Sequence, residues 1–229
     1  MRSLCIIIPV KDEEKGLEYL LKDFQSSKIK QEYKVDFIFV IDERTSDNSR
    51  EIAKQFSKQI IDQKDTYGKG DAIRKAVNYW KENCDDDVVF LDADGSYSFE
   101  GVREIVLALQ EGADVVSGSR FLRKKGKPSG MSILHNFGNK SLSIVSSIRN
   151  NRRISDLCTG LWGFKSEALK EIQIRSNGFD LEAELASQAR KKKLVHREIP
   201  VSWSQRKGGV SKLRSLRDGV VIFIRIILG

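Results

Sequence analysis

Three continuous apolar runs, at residues 4–10, 35–41 and 88–91, constrain the fold of this 229-residue chain more than any other feature. Each run consists mainly of Ile, Val, Leu and Phe, and residues with helical apolar spacing follow each of them. Strands that are apolar on both faces are typical of parallel sheets, because crossover helices cover both faces. The alternation therefore predicts an α/β fold with a doubly wound, mostly parallel sheet.

The other elements are predicted from periodicity and helix-capping residues. Helices are expected at 13–26, 46–56, 68–80, 99–110, 132–148, 166–172 and 179–190, and shorter strands at 59–62, 114–117 and within 194–204. Thr45 or Ser46 is the expected N-cap of the second helix. The segment 156–164 mixes turn and strand signals, and 121–130 is predicted to be a basic surface loop. Since no linker divides the chain, we expect one domain over residues 1–212.

Charge is divided unevenly along the chain. Residues 1–119 contain 17 Lys and Arg against 24 Asp and Glu, whereas residues 120–229 contain 23 against 8, so that a net charge of −7 is followed by one of +15. A strongly basic half indicates an anionic partner, such as a phosphate, an anionic lipid or a nucleic acid. The chain has neither basic strands with interleaved aromatic residues nor a recognition-helix pattern, which disfavours a nucleic-acid-binding module.

Residues 213–229 are predicted to form an amphipathic C-terminal helix. Basic residues at 214, 217 and 225 interrupt an otherwise aliphatic and aromatic segment. Such a helix can lie in a membrane interface or pack against a partner, and both alternatives stay open. No apolar run reaches the roughly 18 residues of a membrane-spanning helix, and no signal-peptide pattern is present. Three cysteines without metal-type spacing favour a reducing compartment.

Acidic side chains follow three of the predicted strands at the point where each strand ends. Because the carboxyl ends of parallel strands share one edge of a sheet, we expect these carboxylates to converge on one crevice. The residues are Asp12, Glu13, Asp42, Asp92 and Asp94.

Asp92 and Asp94 are the strongest candidates for metal binding. They stand one residue apart directly after the strand at 88–91. Carboxylate oxygens suit Mg²⁺ or Mn²⁺, which commonly carry the phosphates of a substrate. The alternative is structural: Asp94 and Gly95 begin a turn, and Asp92 caps a backbone amide.

A series of short motifs resembles the family-two glycosyltransferases of the GT-A fold. The match spans about residues 4–213, and its later pieces, at 118–120, 155–156, 159–160, 198–200 and 206–212, are similar to the branch that makes polyprenyl-phosphate sugars, including dolichol-phosphate mannose synthases. The resemblance implies a Rossmann-like, mostly parallel sheet flanked by helices. The motifs of the first half are Pro9-Val10-Lys11-Asp12-Glu13, Asp42-Glu43-Arg44-Thr45-Ser46-Asp47, Gly68-Lys69-Gly70-Asp71-Ala72 and Asp92-Ala93-Asp94-Gly95.

The resemblance also implies roles for particular residues. Residues 1–119 would form the nucleotide- and metal-binding half, and residues 120–212 the acceptor half. The nucleotide would contact Pro9, Val10, Asp12, Glu13, Asp42, Lys69, Asp71 and Ala93. The metal would bind to Asp92 and Asp94, with Asp94 the more direct ligand. The acceptor phosphate would contact Arg120, Arg206, Ser211 and Lys212, and Asp156 would orient the acceptor. The residues expected to act in catalysis are Asp94, Arg120, Asp156, Arg206 and Lys212.

Two departures from the family pattern limit what the resemblance implies. Glu43 and Arg44 stand where the family usually has Asp and Gly, so the contacts to the base and ribose do not follow from it. Gly95-Ser96-Tyr97 replaces the Leu-Gln-His of many mannose synthases, so the donor sugar does not follow either.

The function implied is an inverting, metal-dependent transfer of a hexose to a dolichyl or other polyprenyl phosphate. The donor would be GDP- or UDP-linked mannose, glucose or N-acetylglucosamine. A divalent metal would stabilise the departing diphosphate, and an ionised lipid phosphate can attack without a strong general base. The enzyme is expected to be peripheral on the cytoplasmic face of a membrane, as a monomer or an oligomer. The alternatives are a glycan or soluble acceptor, or a nucleic-acid-binding module.

Overall fold

A mixed β-sheet forms the centre of the protein. The computed structural model describes residues 2–122, 128, 130–212 and 215–229. Within these residues seven strands form one sheet in the order β3-β2-β1-β4-β6-β5-β7, in which β6 is antiparallel to its two neighbours and the other pairs are parallel. The strands are β1 (Arg2–Val10), β2 (Tyr33–Asp42), β3 (Ile60–Gln63), β4 (Asp87–Leu91), β5 (Val115–Ser119), β6 (Leu161–Phe164) and β7 (His196–Pro200).

Helices cover both faces of the sheet, because the side chains of the central strands alternate between two apolar layers. In β1, Leu4, Ile6 and Ile8 join the layer that contains α1 and α5, while Cys5 and Ile7 join the layer of α4 and α8. The helices are α1 (Glu14–Ser26), α2 (Lys28–Glu32), α3 (Ser49–Phe56), α4 (Lys69–Asn83), α5 (Phe99–Gln110), α6 (Ile133–Asn150), α7 (Ser166–Glu171), α8 (Leu181–Lys191) and α9 (Ser215–Leu228).

The strand register brings the predicted acidic residues to one edge of the sheet. Val10 pairs with Ile41 at the carboxyl ends of β1 and β2, and Ile7 of β1 pairs with Phe90 of β4. The antiparallel strand β6 starts at the same edge, because Leu161 pairs with Leu91. Residues that precede β6 therefore lie beside those that follow β4.

The sequence-based elements are largely confirmed, with differences at their ends. Helix α3 begins at Ser49 rather than at residue 46, and Asn48 is its N-cap. The backbone N–H and the hydroxyl of Ser46 donate instead to Asp12 Oδ1, at 2.8 and 3.2 Å. The short helix α2 was not predicted.

Parts of two predicted segments lie outside the described residues. In the basic segment 121–130 these are residues 123–127 and 129, and in the C-terminal segment they are residues 213 and 214. The predicted C-terminal helix is confirmed as α9 from Ser215 onward. No helix in the described part of the chain is both long and apolar enough to cross a membrane.

Candidate active site

A cavity of about 850 Å³ opens at the carboxyl ends of β1, β2 and β4. Most of the residues predicted from the sequence line it, although they come from positions as far apart as 9 and 212. The predicted residues in its wall are Pro9, Val10, Glu13, Asp42, Lys69, Asp92, Ala93, Asp94, Arg120, Arg206, Ser211 and Lys212. Three further predicted residues, Asp12, Asp71 and Asp156, do not line it.

Asp94 is held with one carboxylate oxygen engaged. Its Oδ1 accepts hydrogen bonds from the backbone N–H and the hydroxyl of Ser96, at 2.9 and 2.5 Å. Gly95 between them has a φ of +72°, a left-handed conformation that favours glycine. No described residue donates to Oδ2 of Asp94. The turn alternative and the ligand hypothesis are therefore compatible, because the turn orients the carboxylate and leaves an oxygen for a ligand.

Two glycines allow the Asp92–Asp94 turn to pack closely against its neighbours. A Cβ at Gly160 would lie 1.7 Å from Asp92 Oδ2, and a Cβ at Gly16 would lie 2.2 Å from the carbonyl oxygen of Ala93. Any other side chain would displace the Asp92 carboxylate at position 160 and the backbone of the turn at position 16. Sequence reasoning did not assign this role to Gly16, since a glycine inside a helix carries no signal of what it packs against.

Lys69 at the start of α4 bridges two carboxylates in the cavity wall. Its Nζ lies 2.6 Å from Asp92 Oδ1 and 2.8 Å from Glu182 Oε1. Burial alone would lower the pKa of Lys69, but the two carboxylates raise it above its ordinary value, so the ammonium stays charged. Burial raises the pKa of Glu182 despite Lys69. Glu182 was not predicted, because an acid in the first turn of α8 is explained by the helix dipole alone.

The carboxylate pair fits a divalent cation that is completed by substrate oxygens. Among the described residues, no group of three or more His, Cys, Asp or Glu is arranged to hold a metal ion. Mg²⁺ is commonly bound through one or two carboxylates together with waters and substrate phosphates. Asp94, with its available oxygen, and Asp92 provide that donor set, and Lys69 shares Asp92.

Glu13 forms ion pairs with two cations of the segment 204–212, part of which lines the cavity. Arg206 Nη2 lies 2.6 and 2.7 Å from the two Glu13 oxygens, and Lys212 Nζ lies 2.8 Å from Oε1. Burial raises the pKa of Glu13 in spite of both cations. The segment is also anchored to the Asp92–Asp94 turn, because Lys207 N–H donates to the Asp94 carbonyl at 2.9 Å. Both cations are thereby held in the cavity wall.

Asp156 binds to Arg120, which lines the cavity, but does not line the cavity itself. The guanidinium donates to both Asp156 oxygens at 2.7 Å, and Arg120 also donates to the carbonyl of Cys158 at 2.8 Å. Asn139 donates to Asp156 as well, at 2.7 Å. With its oxygens engaged and its side chain fully buried, Asp156 positions Arg120. Its expected role in orienting the acceptor stays a prediction.

Asp12 and Asp71 also stabilise the scaffold instead of lining the cavity. Asp12 adopts a φ of +46° and accepts from Ser46. Asp71 is 1% exposed and accepts from Gln63 Nε2 at 2.8 Å, with Arg74 one turn further along α4. Burial would raise the pKa of Asp71, but hydrogen bonds from Gln63 and Thr66 and the charges of Lys75 and Arg74 lower it. Asp12 thereby fixes the segment after β2, and Asp71 joins the first turn of α4 to the end of β3.

Asp42 ends β2 on the side of the cavity that faces away from β4. Arg44 donates to it from Nε at 2.8 Å and from Nη2 at 2.5 Å, and Lys11 Nζ lies 3.6 Å from its Oδ2. Burial alone would raise the pKa of Asp42, but these partners lower it. The carboxylate therefore stays ionised and is paired with cations of its own chain.

Family comparison agrees with this geometry. Residues 5–173 match the family described as Glycosyl transferase family 2. This match covers well over half of the chain, which therefore belongs to that family and is a glycosyltransferase.

Two relatives fall in the polyprenyl-phosphate branch that the motifs resemble. The chain is 24% identical to the UDP-N-acetylglucosamine–dolichyl-phosphate N-acetylglucosaminyltransferase of Methanococcus voltae over 99% of this chain and 96% of the relative. It is 25% identical to the dolichol-phosphate mannosyltransferase of Pyrococcus furiosus over 93% of this chain, but spans only 59% of that protein. The names of the two relatives specify different sugars, so this similarity does not identify the donor sugar of the chain.

A solved structure shows the same fold. It is glucosyl-3-phosphoglycerate synthase from Mycobacterium tuberculosis in complex with Mn²⁺, UDP-glucose and phosphoglyceric acid. The TM-score is 0.72 at 15% identity, over 98% of this chain and 80% of that one. The likeness confirms the predicted GT-A fold.

Proposed function

We propose that this glycosyltransferase moves a hexose from a nucleotide sugar to a dolichyl or other polyprenyl phosphate, with Mg²⁺ or Mn²⁺ as cofactor. The observation that carries the proposal is the composition of one cavity. A carboxylate pair lines its floor, three cations reach into it from the acceptor half, and apolar side chains of α6 and α9 continue its wall.

At the donor end, the carboxylates suit a metal-bound diphosphate. When bound, the metal would neutralise the negative charge that develops on the departing nucleotide diphosphate. Asp94 and Asp92 would hold it, and Lys69 would balance the second carboxylate. Arg206 and Lys212, released from Glu13, would face the phosphates from the opposite wall.

At the acceptor end, a fixed cation adjoins apolar surface. Arg120 is held rigidly by Asp156 and is suited to bind a phosphate. Leu134 and Phe137 of α6 line the same cavity and remain 55% and 70% exposed, and Ile222 of α9 lines it as a buried side chain. An acceptor with a phosphate at one end and an apolar chain at the other matches this arrangement. Attack opposite the leaving group would invert the anomeric centre.

The same apolar surface supports a peripheral position on the cytoplasmic face of a membrane. Helices α6 and α9 pack side by side and expose large apolar residues outside the cavity. These include Ile144, Ile148, Val220, Phe223, Ile224 and Ile227. An amphipathic surface of this kind can lie in the headgroup region while the cavity takes up the lipid phosphate.

The decisive test is transfer of labelled sugar in the presence of Mg²⁺ or Mn²⁺. Purified protein is incubated with a panel of labelled nucleotide sugars and polyprenyl phosphate, and label is measured in the organic phase. We expect labelled lipid with at least one donor, and a loss of at least about 100-fold in Asp94→Asn with the fold retained. Label found only on a soluble phosphate-bearing acceptor or a glycan would favour the alternative acceptor class and overturn the lipid assignment.

A further inference from the structure

Arg44 forms a cationic wall of the cavity at the end away from the metal-binding turn. It stands where the family usually has Gly. Strand β2, which ends at Asp42, lies two positions from β4 in the sheet, so that about 10 Å separate the Arg44 side of the cavity from Asp92 and Asp94. A diphosphate at the metal-binding turn would therefore direct its nucleoside toward Arg44.

The side chain of Arg44 is held in one orientation although it is 48% exposed. One edge of its guanidinium, Nε and Nη2, donates to the two oxygens of Asp42. The ring of Tyr67 lies against the guanidinium, with 3.5 Å between Cζ and the ring centroid. Tyr67 in turn donates its hydroxyl proton to Glu43. Carboxylate, ring and guanidinium thus form a pre-organised unit.

This unit determines which hydrogen-bond donors and acceptors the cavity wall presents to a base. The backbone N–H and Nε of Arg44 both donate to Asp42 Oδ1, and Nη2 donates to Oδ2 with Lys11 nearby. Both acceptor positions of Asp42 Oδ1 are therefore filled by Arg44, and Oδ2 is shared between Arg44 and Lys11. The other edge of the guanidinium, formed by Nη1 and the second N–H of Nη2, carries two parallel donors on a residue that lines the cavity.

We infer that Arg44 reads the base of the donor nucleotide and favours guanine. This inference rests on the proposed function, which supplies a nucleotide-sugar donor. Two parallel donors match the adjacent acceptors O6 and N7 of guanine. In adenine the acceptor N7 stands beside the N6 amino group, which is a donor. In uracil an N–H group separates the two carbonyl oxygens. A preference for guanine would distinguish this chain from the Methanococcus voltae relative, whose name specifies a UDP-linked sugar.

The test is isothermal titration of the full chain with GDP, UDP and ADP in the presence of Mg²⁺. Arg44→Ala removes the donor edge, and Arg44→Lys keeps the charge but loses the planar pair of donors. Arg50→Ala is the matched control, because Arg50 also pairs with an aspartate, Asp62, at 2.5 Å but does not line the cavity. Circular dichroism and thermal melting establish that each variant is folded.

We expect the wild type and Arg50→Ala to bind GDP about tenfold more tightly than UDP or ADP. Arg44→Ala and Arg44→Lys should both lose that preference, through weaker GDP binding and little change for UDP. Equal affinities in the wild type, or a preference that survives in Arg44→Lys, would overturn the inference. A uniform loss for all three nucleotides would also overturn it, since it would indicate a contribution from charge or stacking alone. Failure of every nucleotide to bind would instead refute the proposed donor class.

Discussion

At the scale of single residues, the site depends on groups that do not themselves carry chemistry. Gly160 determines where the Asp92 carboxylate can lie, because its missing side chain leaves the space that Asp92 Oδ2 occupies. Asp156 has a similar role for Arg120, and Ser96 for Asp94. Such residues set the geometry within which the charged side chains act.

Gly160→Ala should therefore abolish most activity without unfolding the protein. The added Cβ would displace the Asp92 side chain, which can move, and a displacement of about 1 Å commonly lowers turnover about 100-fold. Sugar transfer and the melting temperature are both measured. Gly178→Ala serves as control, because its Cβ would meet only Asp180 Oδ1, at 3.6 Å. Full activity in Gly160→Ala would show that this close packing is not needed.

His196 gives a residue-scale prediction for stability against pH. It is buried between Ser117, whose hydroxyl lies 2.9 Å from Nε2, and the ring of Trp162. Burial, and then the charge of Arg152, lower the pKa of His196 to about 3. In the unfolded chain His196 takes up a proton near pH 6.5, whereas in the folded protein it stays neutral at that pH. The free energy of unfolding therefore falls as the pH decreases below that value.

The free energy of unfolding should therefore lose about 2 kcal/mol between pH 7 and pH 5 because of this one histidine. Urea denaturation at several pH values measures it, and His196→Gln should lose less over that interval than the wild type. An equal pH dependence in the two proteins would mean that His196 becomes protonated within the fold.

At the scale of elements, one arginine joins the C-terminal helix to the domain. Arg225 of α9 lies 2.7 Å from Asp180 and 3.6 Å from Glu184, at the start of α8. Burial would raise the pKa of Asp180, but Ser176 and Arg225 lower it, so the carboxylate stays charged. Since Asp180 and Glu184 are buried, loss of the cation would leave their charges without this partner.

Arg225→Ala should lower the free energy of unfolding by about 2 kcal/mol, and the melting temperature by about 4–8 °C. Denaturant unfolding measures the first quantity and calorimetry the second. Arg217→Ala in the same helix, which removes an exposed arginine, should change stability by less than about 0.5 kcal/mol. Equal effects of the two variants would show that α9 is not held through Arg225.

At the scale of the whole molecule, charge and apolar surface are combined on the second half of the chain. Residues 120–229 have a net charge of +15, and exposed cations such as Lys140 and Arg149 lie on α6 beside exposed Ile144 and Ile148. Anionic membranes attract basic surfaces by about 1 kcal/mol per residue, and salt weakens this attraction.

The protein should therefore float with anionic lipid vesicles and be released by about 0.5 M salt, where the Debye length is only a few ångströms. A double variant, Phe223→Ser with Ile227→Ser, should reduce binding by removing apolar residues of α9. The control is Val195→Ser, which removes an apolar residue that is 50% exposed outside α6 and α9. Binding that is unaffected by salt and by the double variant would contradict a peripheral membrane position.

Much of the fold and part of the site could be predicted from local sequence. Continuous apolar runs identified β1, β2 and β4, and the acids after them met in one cavity because parallel strands end at one edge. Glu182 was missed, since a helix-dipole explanation accounted for it. Asp71 and Asp156 pair with side chains of the protein and do not line the cavity, which the motifs did not indicate because a motif specifies a carboxylate but not its partners.

Local sequence is enough to predict the alternation of strands and helices, the crevice at the carboxyl ends of the strands and the basic second half. These follow from periodicity and composition, which act over a few residues at a time. The packing of distant segments is needed to tell which side chains face the cavity and which form ion pairs with each other. Lys69 meets Asp92 and Glu182, and Arg206 meets Glu13, because packing brings together residues whose distance along the chain carries no signal of contact.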